Sequence, residues 1–182
     1  MIEIKFWGRG GQGAVTAAEL LAVAASYRKP EEGGKYAQAF PFFGVERRGA
    51  PVKSFCMIDD KPIRVHQQVY TPDHVVILDA SLIGRPDILE GFKKDGTVIV
   101  NTSKPKNQIK LKAKNLYVVD ATGIALKHIG RPIVNTAMLG AFIKATNIVP
   151  LEPVKEAIKE RFPPELAEKN IKAIEECYNE TK

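Results

Sequence analysis

The stretch Ile2-Glu3-Ile4-Lys5-Phe6-Trp7-Gly8-Arg9-Gly10-Gly11-Gln12-Gly13-Ala14-Val15-Thr16-Ala17-Ala18-Glu19-Leu20-Leu21 decides the fold. Its first six residues alternate well enough for a half-buried strand. From Ala14 to Ser26 the pattern becomes strongly helical, and only Thr16, Glu19 and Ser26 in that span are polar. Such a helix packs nearly all round, with Thr16 and Glu19 on one narrow stripe. Between the two lies a glycine-rich turn, so the chain opens as strand, tight loop, helix.

Lys29-Pro30-Glu31-Glu32-Gly33-Gly34 breaks that helix. The next segment, Tyr36 to Pro51, mixes aromatics, glycines and the triplet Glu46-Arg47-Arg48 without a clean period, and reads as extended and irregular. Val52–Ile58 alternates as a strand, Asp59-Asp60 supplies a turn, and Lys61–Val65 is the expected return strand of a hairpin. Val75–Leu78, Thr97–Val100 and Leu116–Val119 are short apolar runs of the kind that both faces of a sheet bury. Helices are expected near Pro86–Lys94, Thr122–His128, Thr136–Thr146, Glu152–Arg161 and Glu165–Tyr178. This order predicts an α/β fold: one three-layer α/β/α domain over residues 1–182, around a mixed, mostly parallel sheet.

Composition narrows the function. The 182 residues are 45% hydrophobic and 26% charged, as in ordinary globular proteins. No run of about 18 apolar residues offers a membrane span. The first strand begins at once, without a signal-peptide pattern, so the expected compartment is the cytoplasm. Cys56 and Cys177 are too few for an iron–sulfur cluster or a disulfide framework, and read as small buried hydrophobes. His66, His74 and His128 have no zinc-type partners at motif spacing. The net charge of +6 fits lysines on solvated faces, or a surface that attracts an acidic partner or a phosphorylated cofactor. An aromatic–basic platform or reading helix for nucleic acid is absent from the pattern.

Gly8-x-Gly10-x-x-Gly13 matches the dinucleotide fingerprint literally. Glycines allow close backbone approach, and the helix N-terminus offers free N–H groups to an anion. The helix dipole alone adds roughly 0.3–1 kcal/mol for a negative charge there. A nicotinamide site also wants an acidic residue ending a second strand about 20 positions on. Here that region is Glu31-Glu32-Gly33-Gly34, which ends no apolar strand. A free-standing NAD-binding protein is therefore the weaker alternative; a phosphate site and a purely structural turn both stay open.

Gly8-Arg9-Gly10-Gly11-Gln12-Gly13-Ala14-Val15-Thr16, taken with Phe40-Pro41-Phe42-Phe43-Gly44-Val45-Glu46-Arg47-Arg48-Gly49-Ala50-Pro51-Val52, resembles the gamma subunit of pyruvate and 2-oxoisovalerate:ferredoxin oxidoreductases. Ile63-Arg64, Val75–Ser81, Val98–Thr102 and Asp120-Ala121-Thr122 extend the likeness along the chain. The resemblance implies a share in the pyruvate synthase type of reaction, in which a 2-oxoacid, coenzyme A and oxidised ferredoxin give acyl-coenzyme A, carbon dioxide and reduced ferredoxin. It implies alpha, beta and delta partner subunits in a heterotetramer, with thiamine diphosphate, Mg and [4Fe–4S] clusters in those partners. It associates the gamma part with coenzyme A.

Within that frame Gly8, Arg9, Gly10, Gly11, Gln12, Gly13, Arg47 and Arg48 are the candidate binding residues, and no residue is assigned as catalytic. Arginine forks match phosphate oxygens bidentately. The competing role for Arg47 or Arg48 is an ion pair with Glu46 at a subunit interface. Gln12 either binds a ligand amide or holds the loop. Phe40, Phe42 and Phe43 read as core or docking aromatics. Asp79-Ala80-Ser81, Asn101-Thr102-Ser103 and Asp120-Ala121-Thr122 follow apolar strands, where they line a ligand crevice or cap helices.

Overall fold

Apolar runs become strands here because the sheet hides both of their faces. The computed structural model describes residues 1–42 and 48–182. Its strands are β1 (Ile2–Arg9), β2 (Tyr36–Pro41), β3 (Pro51–Asp59), β4 (His74–Ile77), β5 (Thr97–Asn101) and β6 (Asn115–Val119). They form a six-stranded sheet in the order β2-β3-β1-β4-β5-β6. β1, β4, β5 and β6 pair in parallel, while β3 runs antiparallel to both β1 and β2. The sheet is thus mixed and mostly parallel, as the sequence predicts.

The helices are α1 (Ala14–Ala25), α2 (Ala121–Ile129), α3 (Ala137–Thr146), α4 (Leu151–Arg161) and α5 (Pro164–Glu180). All pack on the sheet face that carries Ile4, Phe6, Cys56, Ile58, Val76 and Ile99. The other face, with Trp7, Val75, Ile77, Val98 and Val100, is covered by Leu82, Ile88, Phe92 and Ile109 from the connections. Crossover handedness explains the division. From β1 the chain moves through α1 toward β2; from β4 it moves the opposite way, to β5 and β6. Right-handed connections travelling in opposite directions lie on opposite faces.

The second cover is not α-helical, which corrects the helix expected at Pro86–Lys94. Ile88, Glu90 and Phe92 donate their N–H groups to Arg85, Asp87 and Leu89, three residues back, at 3.4, 3.2 and 3.1 Å. Pro86 and Gly91 leave too few residues between them to nucleate an α-helix. Gly91 has φ 72°, and a Cβ there would meet the Tyr70 carbonyl at 1.8 Å. The Trp7 indole N–H pins these turns to the sheet through the Ile88 carbonyl at 3.1 Å.

The return strand expected at Lys61–Val65 also does not form. β3 is already flanked by β1 and β2, so no open edge is left for it. Ile63 and Val69 instead pack over Phe55 and Met57. At the other end of the sheet, Lys182 exchanges backbone hydrogen bonds with Val118 at 2.9 and 3.2 Å, covering part of the β6 edge.

On the helical face α3 and α5 meet closely. Ala167, Asn170, Ala173, Ile174 and Cys177 form the buried stripe of α5. Gly140 of α3 lets the backbones approach: a Cβ there would sit 2.1 Å from the Ile174 carbonyl oxygen.

Candidate functional site

β1 and β4 are adjacent and parallel, and the connections leave them toward opposite faces, so a crevice opens at their carboxyl ends. The glycine loop forms one wall. Gly11 and Gly13 adopt φ of 94° and 78°, a region that favours glycine. A Cβ on Gly8 would crowd Ala14 and Leu78 at 3.3 Å each. Gly13 is the N-cap of α1 and supplies no side-chain hydrogen bond, so the first-turn N–H groups have no capping side chain.

Gln12 holds this loop. Its Oε1 accepts from the Arg9 N–H at 2.8 Å, and its Nε2 donates to Asp79 Oδ2 at 2.9 Å. Of the two roles open for Gln12, the geometry displays the structural one. Arg9 is similarly engaged: Nη2 donates to Ser81 Oγ at 2.7 Å and Nη1 to the Gly49 carbonyl at 3.0 Å. Its Nε lies 3.2 Å from Asp79 Oδ2. Burial pushes the Asp79 carboxyl up, but the hydrogen bonds from Ser81 and Gln12, with the Arg9 charge, outweigh it and hold the group below the usual carboxylate range.

The two sequence segments that carry the resemblance are joined by backbone. The Gly10 N–H donates to Ala50 O at 2.8 Å, and the Gly49 N–H to Gly10 O at 3.1 Å. Arg48, next to this junction, is exposed. Glu46, Arg47 and Phe43 lie outside the described residues. Phe40 packs on Phe55, with centroids 5.5 Å apart, and Phe42 is exposed.

Past the loop the crevice continues as a cleft of about 750 Å³, lined by Gln12, Asp79, Ser81, Asn101, Thr122 and Leu126 among others. Its polar residues also do structural work. Asp79 accepts from the Ser81 N–H at 2.9 Å, and Asp120 caps α2 by accepting from the Gly123 N–H at 2.9 Å. Asn101 Nδ2 donates to Leu78 O at 2.8 Å and to Thr122 Oγ1 at 2.9 Å, which ties neighbouring strand ends together. The sequence did not mark Asn135, which is buried against Gly13. Nor did it mark Ser81 and Gly49 as the partners of Arg9; only distance in space reveals these roles.

This arrangement matches a known family. The pattern described as "Pyruvate ferredoxin/flavodoxin oxidoreductase" spans residues 3–180. The chain belongs to that family. A relative from Thermococcus kodakarensis, "Pyruvate/ketoisovalerate oxidoreductases common subunit gamma", is 60% identical, with 100% of this chain and 97% of the relative covered. "Pyruvate synthase subunit PorC" of Methanocaldococcus jannaschii is 56% identical over 99% of this chain and 97% of its own. Among solved structures, the pyruvate oxidoreductase subunit PORC of Thermotoga maritima superposes with a TM-score of 0.84 at 42% identity, covering 100% and 97% of the two chains. Like these relatives of the pyruvate ferredoxin/flavodoxin oxidoreductase family, this gamma-type chain is a subunit of an oxidoreductase.

The free-standing NAD-binding alternative has no support in the fold. Glu31 and Glu32 sit exposed in a 3₁₀ turn, Pro30–Glu32, ahead of β2 rather than at the end of a second parallel strand beside β1. The iron–sulfur chemistry implied for the family does not fit this chain's residues either. Cys56 and Cys177 are fully buried in the core beneath the helices. Burial pushes the Cys56 thiol up, and it takes the Cys177 thiol up to about 12. Cluster ligation takes four thiolates. Among the described residues, no helix is long and apolar enough to cross a membrane.

Proposed function

We propose that this chain is the accessory gamma subunit that completes the active-site wall of a pyruvate- or 2-oxoisovalerate-type oxidoreductase and helps position coenzyme A. In this reading residues 1–182 act as one domain in the cytoplasm, bound to alpha, beta and delta subunits, with ferredoxin as the electron acceptor of the complex. Thiamine diphosphate, Mg and the [4Fe–4S] clusters reside in those partners and supply the decarboxylation and electron transfer. This chain's task is binding and orientation. Gly8, Arg9, Gly10, Gly11, Gln12 and Gly13 form the loop that receives the ligand at the N-terminus of α1, and the role assigned to Arg47 and Arg48 in this reading is to bind its phosphates.

The observation that carries the reading is the backbone junction of Gly10 with Gly49 and Ala50. It holds the exposed Arg48 next in sequence to a backbone bond with the glycine loop, which leads into the start of α1, where no side chain caps the first-turn N–H groups. Coenzyme A carries a pyrophosphate and a 3′-phosphate, which suit an arginine and a helix N-terminus.

The test is purification of the tagged chain from its own cells, followed by viologen reduction with pyruvate or 2-oxoisovalerate. The expected result is co-purification of thiamine- and cluster-bearing chains and strictly coenzyme-A-dependent reduction. Arg48→Glu should then raise KM for coenzyme A about tenfold or more, the equivalent of one charge-assisted hydrogen bond. A lone, inactive chain, or an unmoved KM, contradicts the reading.

A further inference from the structure

The sheet ends in β2, and this edge is left open to pairing. Every residue of Tyr36–Pro41 is half-buried, whereas the neighbouring β3 and β1 are mostly buried. From Tyr36 to Phe42 the chain carries no charged residue, although exposed edges are ordinarily blunted with lysines or other charges. The register shows which groups the edge offers. The Phe42 N–H donates to Lys53 O at 3.0 Å, and Pro41 stands opposite Ser54. Backbone groups in an antiparallel ladder alternate in direction. Tyr36, Gln38 and Phe40 therefore turn theirs to β3, and Ala37 and Ala39 turn theirs outward. Pro41 fits the same register, because its nitrogen faces out and has no N–H to donate. β2 is the last strand of the sheet, so the outward N–H and C=O groups of Ala37 and Ala39 enter no ladder among the described residues. The opposite edge differs, since Lys182 bonds to Val118 there.

One face of the β2 edge is apolar and cationic. Phe42 and Val65 are exposed, next to the half-buried Phe40 and Ile63 that pack with Phe55. Val65 belongs to the connection of residues 60–73 between β3 and β4, in which residues 62–69 join no helix or strand. So long a connection without secondary structure is uncommon in a compact domain and ordinarily carries function when it is ordered. Gln38 Nε2 holds it against β2 by donating to Val65 O, and His66 lies over Phe40 with centroids 5.2 Å apart. Lys61 and Arg64 are exposed on it. The acids that precede them are engaged inside the chain, Asp59 by the N-terminal amine at 3.0 Å and Asp60 by Lys35. Glu31 and Glu32 lie in the turn that follows α1, and α1 covers the other face.

We propose that the β2 edge is the docking site for an extended segment of a partner subunit, which adds a strand at Ala37 and Ala39, buries Phe42 and Val65, and meets Lys61 and Arg64 with acidic side chains. A second copy of this chain suits the edge less well. Two β2 strands paired about a two-fold axis would set the Arg64-bearing segments of both copies on one face beside that axis, like charge against like, in chains that each carry a net charge of +6. The proposal rests on the reading of this chain as one subunit of an oxidoreductase, and not on the coenzyme A site.

The test compares residue-level amide hydrogen exchange in the assembled oxidoreductase and in the separated chain. The expected result is exchange at Ala37 and Ala39 slowed about tenfold or more by assembly. Native mass spectrometry then follows how firmly two variants are retained. Arg64→Glu, on an exposed segment outside the sheet, should raise the apparent Kd of this subunit for the complex about tenfold. Ala39→Pro removes an N–H that the β2–β3 ladder does not use, so the separated chain should melt as before while the apparent Kd rises about tenfold. Should the proline variant not fold, Arg64→Glu and the exchange data decide. Equal exchange at Ala37 and Ala39 in both forms, with the complex assembled, overturns this inference and leaves the functional reading standing. Protection already present in a dimer of the separated chain overturns it in favour of a second copy. A chain that assembles with nothing sinks both readings.

Discussion

Replacing Gly13 by alanine probes the heart of the loop. Gly13 has φ 78°, and the new Cβ would stand 2.5 Å from Asn135 Nδ2, 3.0 Å from its Cγ and 3.2 Å from its Cβ. Two costs add. Holding a side chain in the left-handed region takes about 1–2 kcal/mol, and overpacking against a buried neighbour takes about 1–3 kcal/mol more. Gly11 isolates the first cost, because its φ is 94° and nothing lies within 4 Å of a Cβ built there. At roughly 2–4 °C per kcal/mol for a chain of this size, Gly11→Ala should melt about 2–8 °C low. Gly13→Ala should melt about 4–20 °C low. Urea unfolding of the purified chain, followed by circular dichroism, gives the difference directly, expected at about 1–3 kcal/mol. Adding Asn135→Ala to Gly13→Ala should recover much of that difference, since the 2.5 and 3.0 Å contacts disappear and only the milder 3.2 Å approach to the Cβ remains. Equal losses for the two glycine variants would refute the steric account, because they would mean that Asn135 moves aside freely.

Gly140→Ala forces a Cβ to within 2.1 Å of the Ile174 carbonyl oxygen. It should separate α3 from α5 and cost about 1–3 kcal/mol or more in the same unfolding assay; a neutral result would contradict the close helix contact. Cys56 and Cys177, with thiols that burial pushes up, should resist a thiol reagent at pH 8 in the native chain and react fully in denaturant. Rapid native labelling would show that the core beneath the helices opens. His74 packs edge-on against Phe142 with its Nδ1 unpaired, and burial lowers its pKa below the ordinary value. The unfolded chain therefore binds this proton more readily, so stability should fall as the pH drops below about 6.5. His74→Phe should flatten that part of the profile, and an identical slope in the variant would exclude His74 as its source.

Much of the architecture was legible because it depends on local pattern. The glycine loop between an alternating strand and an apolar helix, and the short runs that became β4, β5 and β6, declare themselves through period and length. Elements whose fate depends on neighbours were less legible. Lys61–Val65 has the alternation of a return strand, yet β2 had taken the edge of β3 it would need. Tyr36–Pro41 carries too broken a pattern to advertise β2, which is held by its partner strand rather than by its own propensity. Pro86–Lys94 suggested a helix, but Gly91 and the Trp7 anchor shape it into turns.

The site divides in the same way. Gly8 to Gly13 could be named from the sequence because a turn into a helix demands glycine at fixed spacing, and Arg9 and Gln12 were caught by lying within it. The assignment of Gln12 to the loop needed Asp79, and the clamp on Arg9 needed Ser81 and Gly49, all distant along the chain. Asn135 looks like an ordinary residue before a helix. Only the fold brings it against Gly13.

The most direct test of the central claim is hydrogen–deuterium exchange on the assembled oxidoreductase, with and without coenzyme A. The account predicts that coenzyme A slows exchange in this subunit at residues 9–17 and 48–50. Protection confined to other subunits, with these segments unchanged, would contradict it.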